Sequence, residues 1–129
     1  MMFRTTSHDS ALEKEEVLYR QLGSLDAEQV AVALLELSRG DVNLERAAAT
    51  CLQYLNDEDR CVRQCAVNSL TVLARRGAPL DLRATIYTLQ RISMNGDDLN
   101  GSIPDALVVL QGIHLSRERW VQPLQDDYA

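Results

Sequence analysis

A chain of 129 residues that is 46% hydrophobic, 25% charged and 5% aromatic is sized for one globular domain and is too apolar to be disordered. Twenty Leu and thirteen Ala against six Gly and three Pro favour helices over a turn-dense β protein. The net charge of −6 argues against indiscriminate binding to nucleic acid or anionic membrane. No apolar run approaches the roughly 18 residues of a membrane span. The start Met1-Met2-Phe3-Arg4-Thr5-Thr6-Ser7-His8 lacks the order of a secretory signal, so a cytoplasmic protein is expected.

Ser10 and Glu13 have capping-box spacing, and Leu18 and Leu22 form a stripe ending at Gly23, which predicts a first helix over about 11–22. Asp26 and Gln29 open a second helix, in which Val30, Ala31, Val32, Ala33, Leu34, Leu35 and Leu37 are apolar nearly all round. Such a helix is buried between neighbours, and Gly40 is expected to close it in a left-handed cap. The third pattern is the clearest: Leu44, Ala47, Ala48, Cys51, Leu52 and Leu55 share one face only if the segment is helical. Asn56-Asp57-Glu58-Asp59 breaks it, Asp59 caps a fourth helix with Val62, Cys65, Ala66, Leu70, Leu73 and Ala74 inside, and Gly77 ends that helix. Pro79 begins a fifth helix, with Leu82, Ile86, Leu89 and Ile92 inward. Asn95 to Gly101 has the composition of a mobile loop. Ser102 and Asp105 bracket Pro104 at the start of a sixth helix, whose apolar face is Ile103, Ala106, Leu107, Leu110 and Ile113. The predicted organisation is a flexible terminus at 1–9, a helical domain at 10–116 and a tail at 117–129.

Helix pairs 35 to 40 residues apart suggest stacking, in which each pair completes its core against its neighbours. Shifting by 40 superposes Ala66, Leu70 and Leu73 on Ala106, Leu110 and Ile113, while shifting by 35 places Ala31, Val32 and Leu35 on Ala66, Val67 and Leu70. The stretch from Cys51 through Asn56-Asp57-Glu58-Asp59 and Val62-Arg63 to Leu70 resembles a HEAT repeat: a helix ending in Leu, a turn rich in Asn and Asp, then a helix opening with Val-Arg. The resemblance covers about one repeat, residues 44–77. It implies an all-α fold, a short HEAT-like α-solenoid of five to six antiparallel helices. It also implies that Asp57 and Arg63 belong to a ladder along the stack, although Ile103 stands at the equivalent of Arg63 in the last unit.

No constellation for chemistry assembles. Cys51, Cys61 and Cys65 lie on adjacent helices, but their spacing lacks the tight turn of a zinc knuckle, and Cys51 and Cys65 fall on core positions. Cys61, near a helix start and flanked by Arg60 and Arg63, is expected to be the most reactive thiol. His114 and Glu118 share a helical face without a third partner, His8-Asp9 precedes the first cap, and Ser7, Ser10 and Ser102 have no base at a useful spacing. The 95–101 segment lacks the ligand order of a calcium loop. The reading is a non-enzyme with no catalytic residue, no cofactor and no metal ligand.

Charge points instead to a binding surface. Residues 1–59 carry a net −7, residues 60–95 a net +5 and residues 96–129 a net −4, so a basic belt lies between acidic flanks. Twelve of thirteen basic residues are Arg, an excess that coding bias explains first, although Arg also suits bidentate pairing with carboxylates. Arg60, Arg63 and Arg75 lie off the apolar face of the fourth helix, either to grip a partner or to pair with the chain's own acids. Without aromatic residues the belt lacks the stacking platform of a single-strand groove, which leaves phosphate or nucleic-acid binding through Arg60, Arg63, Arg75, Arg76, Arg83 and Arg91 as the third reading. Trp120, the only Trp, would either plug the end of the stack or anchor an interface.

The expected function is that of a non-catalytic module binding one partner protein. By analogy with bacterial immunity proteins, whose acidic faces cover cationic toxin or nuclease sites, it would be a cognate inhibitor. The binding residues predicted for this are Glu13, Glu15, Glu16, Glu36 and Asp41, with the turn Asp57, Glu58 and Asp59, and Arg60, Arg63 and Trp120. The alternative is a structural or adaptor subunit, including a homo-oligomer.

Overall fold

The computed structural model describes the backbone from Ser7 to Asp126 and side-chain surroundings over 11–118. Within those limits the chain is all-helical and without strands: α1 (Ser7–Gln21), α2 (Ala27–Arg39), α3 (Leu44–Gln53) continued by the 3-10 turn Tyr54–Asn56, α4 (Arg60–Arg75), α5 (Leu82–Met94) and α6 (Ser102–Asp126). No helix among the described residues is long and apolar enough to cross a membrane. Side chains one residue before the helix mark four of the starts. Asp26 accepts the Glu28 N–H, Asn43 that of Arg46, Asp59 that of Val62 and Asp81 that of Ala84, each satisfying a donor the first turn leaves open.

Helix α4 occupies the centre, packing against α2, α3 and α6, while α1 leans on α2 and α5 on α6. Val62, Ala66, Val67, Leu70 and Leu73 are each 1% exposed or less, and they meet Ala33, Leu34 and Leu37 of α2, Cys51 of α3 and Leu110 of α6 in one core. Two polar bonds pin α4 to α2 inside that apolar contact. Buried Ser69 donates to Leu34 O (3.0 Å), and Arg76 Nη1 donates to Ser38 O (2.7 Å) in the last turn of α2, where open carbonyls and the negative helix end favour a guanidinium.

The three turns that join α1 to α2, α3 to α4 and α5 to α6 share one bond pattern. Ser24 Oγ accepts from Asp26 N, Asp57 Oδ2 from Asp59 N and Asp97 Oδ1 from Leu99 N. This equivalence keeps the 40-residue shift and replaces the 35-residue one with 33. Ala33, Leu34 and Leu37 are fully buried like Ala66, Val67 and Leu70, whereas Val32 is 41% exposed and Leu35 is half-buried. A helix rich in apolar residues on every side conceals its register from periodicity alone.

Several boundaries differ from expectation. Helix α1 is described from Ser7, so Ser10 lies within it rather than capping it, and residues 1–6 of the predicted flexible terminus lie outside the described residues. Gly40 is extended (φ −83°, ψ 177°) rather than left-handed, whereas Gly77 takes the left-handed conformation (φ +89°). Helix α5 starts at Leu82, because Asp81 rather than the Pro79 turn supplies its cap. Helix α6 continues to Asp126, through the stretch predicted as a tail and past Pro123: Ser116-Arg117-Glu118-Arg119 loses the apolar stripe but contains no helix breaker.

The segment after α5 is a structured turn rather than a loop defined by composition. Leu99 and Asn100 both adopt left-handed backbone (φ 51° and 57°), which a leucine rarely does. Full burial of the Leu99 side chain and the bonds Leu99 N–H to Asp97 Oδ1, Ser102 N–H to Leu99 O and Ile103 N–H to Asp98 O hold it there.

Truncating Leu70, which is fully buried on the central helix, to Ala is expected to cost about 2–5 kcal/mol in urea denaturation. Val32→Ala, on the exposed side of α2, is expected to stay within about 0.5 kcal/mol of the parent.

Candidate functional site

A concavity lies where α1 crosses the end of α2 and the lead into α3. It is a groove of about 790 Å³, lined by Glu13, Lys14, Glu15, Val17, Leu18 and Gln21 of α1, with Glu36 of α2 and Gly40, Asp41 and Val42 beyond it. The local sequence produces this shape. The Gly40 N–H makes the last helical bond of α2, to Glu36 O (3.0 Å), the extended backbone at Gly40 ends the helix, and a Cβ there would press on Glu36 O at 3.2 Å and Val42 Cγ1 at 3.4 Å. The chain then bends through Asp41 and Val42 to Asn43, whose side chain caps α3 and whose backbone N–H donates to Glu15 Oε2 (3.2 Å). Glu15 is therefore a buried carboxylate, 6% exposed, that ties α1 to the start of α3.

No cation among the described residues lies within ion-pair distance of Glu15. Arg46 is committed to Glu16 (3.0 Å) and lies 3.6 Å above the Tyr19 ring. Burial raises the Tyr19 phenol above its ordinary range, and its hydroxyl has no hydrogen-bond partner among the described residues; neighbouring Thr50 donates to Arg46 O (2.8 Å) instead.

Of the predicted binding residues, Glu13, Glu15, Glu36 and Asp41 converge on this groove, and Glu16 faces away to Arg46. Asp57, Glu58 and Asp59 line a separate hollow of about 420 Å³ with Leu25, Tyr54 and Val62. Two of those three carboxylates already serve the fold, Asp57 in its turn and Asp59 as the α4 cap. Trp120 stands on α6, but its side chain lies outside the described residues.

Arg60 and Arg63 are occupied within the chain. Arg63 Nη1 donates to Asp57 O (2.8 Å) and Glu58 O (3.0 Å), and its Nη2 donates to Asp97 Oδ2 (3.1 Å); Arg60 reaches Asp97 Oδ1 and Asn100 Oδ1, both at 3.3 Å. Arg63 thus takes the carbonyl of its own turn and the carboxylate of the next one, rather than the Asp57 carboxylate. Buried Val30 and Ile103 hold the equivalent places in the flanking pairs, so Arg63 makes one rung. Asp97 was not foreseen, although the 40-residue shift places it on Asp57. Arg76 is bonded to Ser38 O, and Arg91 stands 6.0 Å from the exposed Tyr87 ring.

The cysteines separate by burial. Cys51 is fully buried, and loss of solvent pushes its thiol up to about 12. Burial first, then neighbouring Cys61, raises Cys65 to about 11. Cys61 is exposed. Among the described residues no group of His, Cys, Asp and Glu is placed to hold a metal ion. His114 Nε2 meets Glu118 Oε1 at 3.1 Å across one helical turn.

No family model matches the chain, and no curated protein or solved structure is significantly similar to it.

The Leu99 N–H, followed by Arg63 and Arg60, holds the Asp97 carboxyl below its ordinary 3.8. With the native value depressed, its stabilisation is complete above about pH 4 and is lost as pH falls through the lower native value. Asp97→Asn should lower the melting temperature at neutral pH, and the gap to the parent should close toward about pH 2. In a thiol-labelling experiment at about pH 8 read by mass spectrometry, Cys61 should react first and Cys51 only after unfolding.

Proposed function

We propose that this chain is a non-catalytic protein-binding module, a short HEAT-like solenoid of antiparallel helices that holds one partner protein against the acidic groove of its first helix pair. Its sharpest form is a cognate inhibitor of the immunity type, acting in the cytoplasm on a target with a cationic site. One observation carries the reading: Glu13, Glu15, Glu36 and Asp41, separated by up to 28 positions in the chain, line one concavity with Val17, Leu18 and Val42. An apolar floor with charged walls provides both buried area and orientation for a partner of opposite charge. The repeated turn and the contact of α4 with both α2 and α6 support the solenoid. The internal bonds of Arg60, Arg63 and Arg76 favour the acidic groove over the basic belt as the docking face.

The test is co-purification from the native cell with the parent chain and with Glu13→Lys/Glu36→Lys/Asp41→Lys. All three positions are exposed or at the rim, so the variant should fold, and partner affinity should fall by about tenfold or more. Equal retention of the partner by both chains would count against the groove. A parent chain that retains no partner at micromolar concentration but self-associates in light scattering would favour the structural-subunit reading instead.

A further inference from the structure

The groove contains a more specific demand than acidity. Glu15 is 94% withdrawn from solvent and lines the groove; one of its oxygens accepts from the Asn43 N–H at 3.2 Å, and the other, with no donor among the described residues, is not sealed in the core, where the Tyr19 hydroxyl is the buried polar atom without a partner. Lys14, the one cation on the groove lining, is exposed and outside ion-pair distance of Glu15, and Arg46 is committed to Glu16. A buried carboxylate with no cation beside it is stabilised by any cation that can reach it. A bare divalent ion does not fit that description, because Glu13, Glu15, Glu36 and Asp41 do not come within reach of a single ion. The space between them is about 790 Å³, and Val17, Leu18 and Val42 form its apolar surface.

We infer that the groove receives an arginine side chain from the partner, its guanidinium set against the open oxygen of Glu15 and its stem along Val17, Leu18 and Val42; this rests on the protein-binding reading above. Arginine is favoured over lysine on physical grounds. A planar guanidinium is more weakly hydrated than an ammonium, loses less on entering an apolar-floored site, and can engage Glu15 and a wall carboxylate together through its forked donors. Glu13, Glu36 and Asp41 at the walls steer the cation inward, and Glu15 at the base selects it.

The probe is the blocked tripeptide acetyl-Leu-Arg-Leu-amide, titrated into the full chain and followed by amide chemical shifts. Its analogues carry lysine or the neutral isostere citrulline in place of arginine. Shifts are expected at residues 13–18 and 40–43, with the lysine peptide weaker by a few-fold and the citrulline peptide by about tenfold, the loss of one charge-assisted pair. Glu15→Gln keeps an oxygen for the Asn43 N–H and should retain the parent melting temperature while losing the preference for arginine over citrulline. Equal affinity for the arginine and citrulline peptides, or an undiminished preference in Glu15→Gln, overturns the inference. Removal of residues 1–6 should leave affinity unchanged; a clear rise would assign the groove to the chain's own amino-terminal segment and likewise overturn it. The two proposals fail separately. A partner lost on charge reversal of the walls but held fully by Glu15→Gln sinks only the arginine. A peptide that binds as expected in a chain retaining no native partner sinks only the function.

Discussion

Burial of the α4 apolar face against α2 on one side and α6 on the other is the contact on which the remaining architecture depends. Val67, Leu70 and Leu73 are wholly withdrawn from water, as are Leu34 and Leu37 of α2 and Leu110 of α6. A helix of this length gains little from its backbone alone and forms because its stripe is covered. Among the described residues α1 packs chiefly on α2 and α5 on α6, and their solvent sides carry the exposed apolar residues Leu12 and Val17 and the exposed Tyr87. The two ends of the molecule are where a further surface has something to cover.

Polar bonds complete what burial begins. Once α4 is seated, Arg63 is placed to reach two successive turns, and Asp97 gathers Arg63, Arg60 and the Leu99 N–H on one carboxylate. Partly exposed ion pairs contribute modestly to stability. The value of this set is geometric: it holds Leu99 in a left-handed conformation that sends its side chain into the core and starts α6 at Ser102. Three of the six belt arginines, Arg60, Arg63 and Arg76, are thus spent inside the fold, while Glu13, Glu36 and Asp41 of the acidic first half are left exposed.

That division of charge gives the groove its character. Glu16 is neutralised by Arg46, and Asp57 and Asp59 are absorbed by turn and cap, while Glu13, Glu36 and Asp41 are left around a buried Glu15. Negative potential at a concave site over an apolar floor is stronger than the same charges on a convex face, because low-dielectric walls focus the field. A cationic segment gains both rapid encounter and a desolvated pairing there, which is the physical content of the proposed recognition.

Helix number and type were legible because apolar positions recurred at helical spacing and Asp59 and Gly77 stood where a cap and a stop belong. The acidic residues of the first half were equally legible as a group, since like charges crowded into one stretch are a property of composition. Tertiary structure alone decided which of them meet. Glu15 and Asn43 are 28 residues apart and become neighbours only when α1 packs on α2, and Arg63 finds Asp97 only when α4 packs on α6. It also decided the register of α2, which its nearly continuous apolar run left open, and turned Asn95 to Gly101 from loop composition into a bonded turn. Periodicity reports the face a helix will bury; the identity of the neighbour, and hence which charges are spent and which remain, follows from packing between segments far apart in the chain.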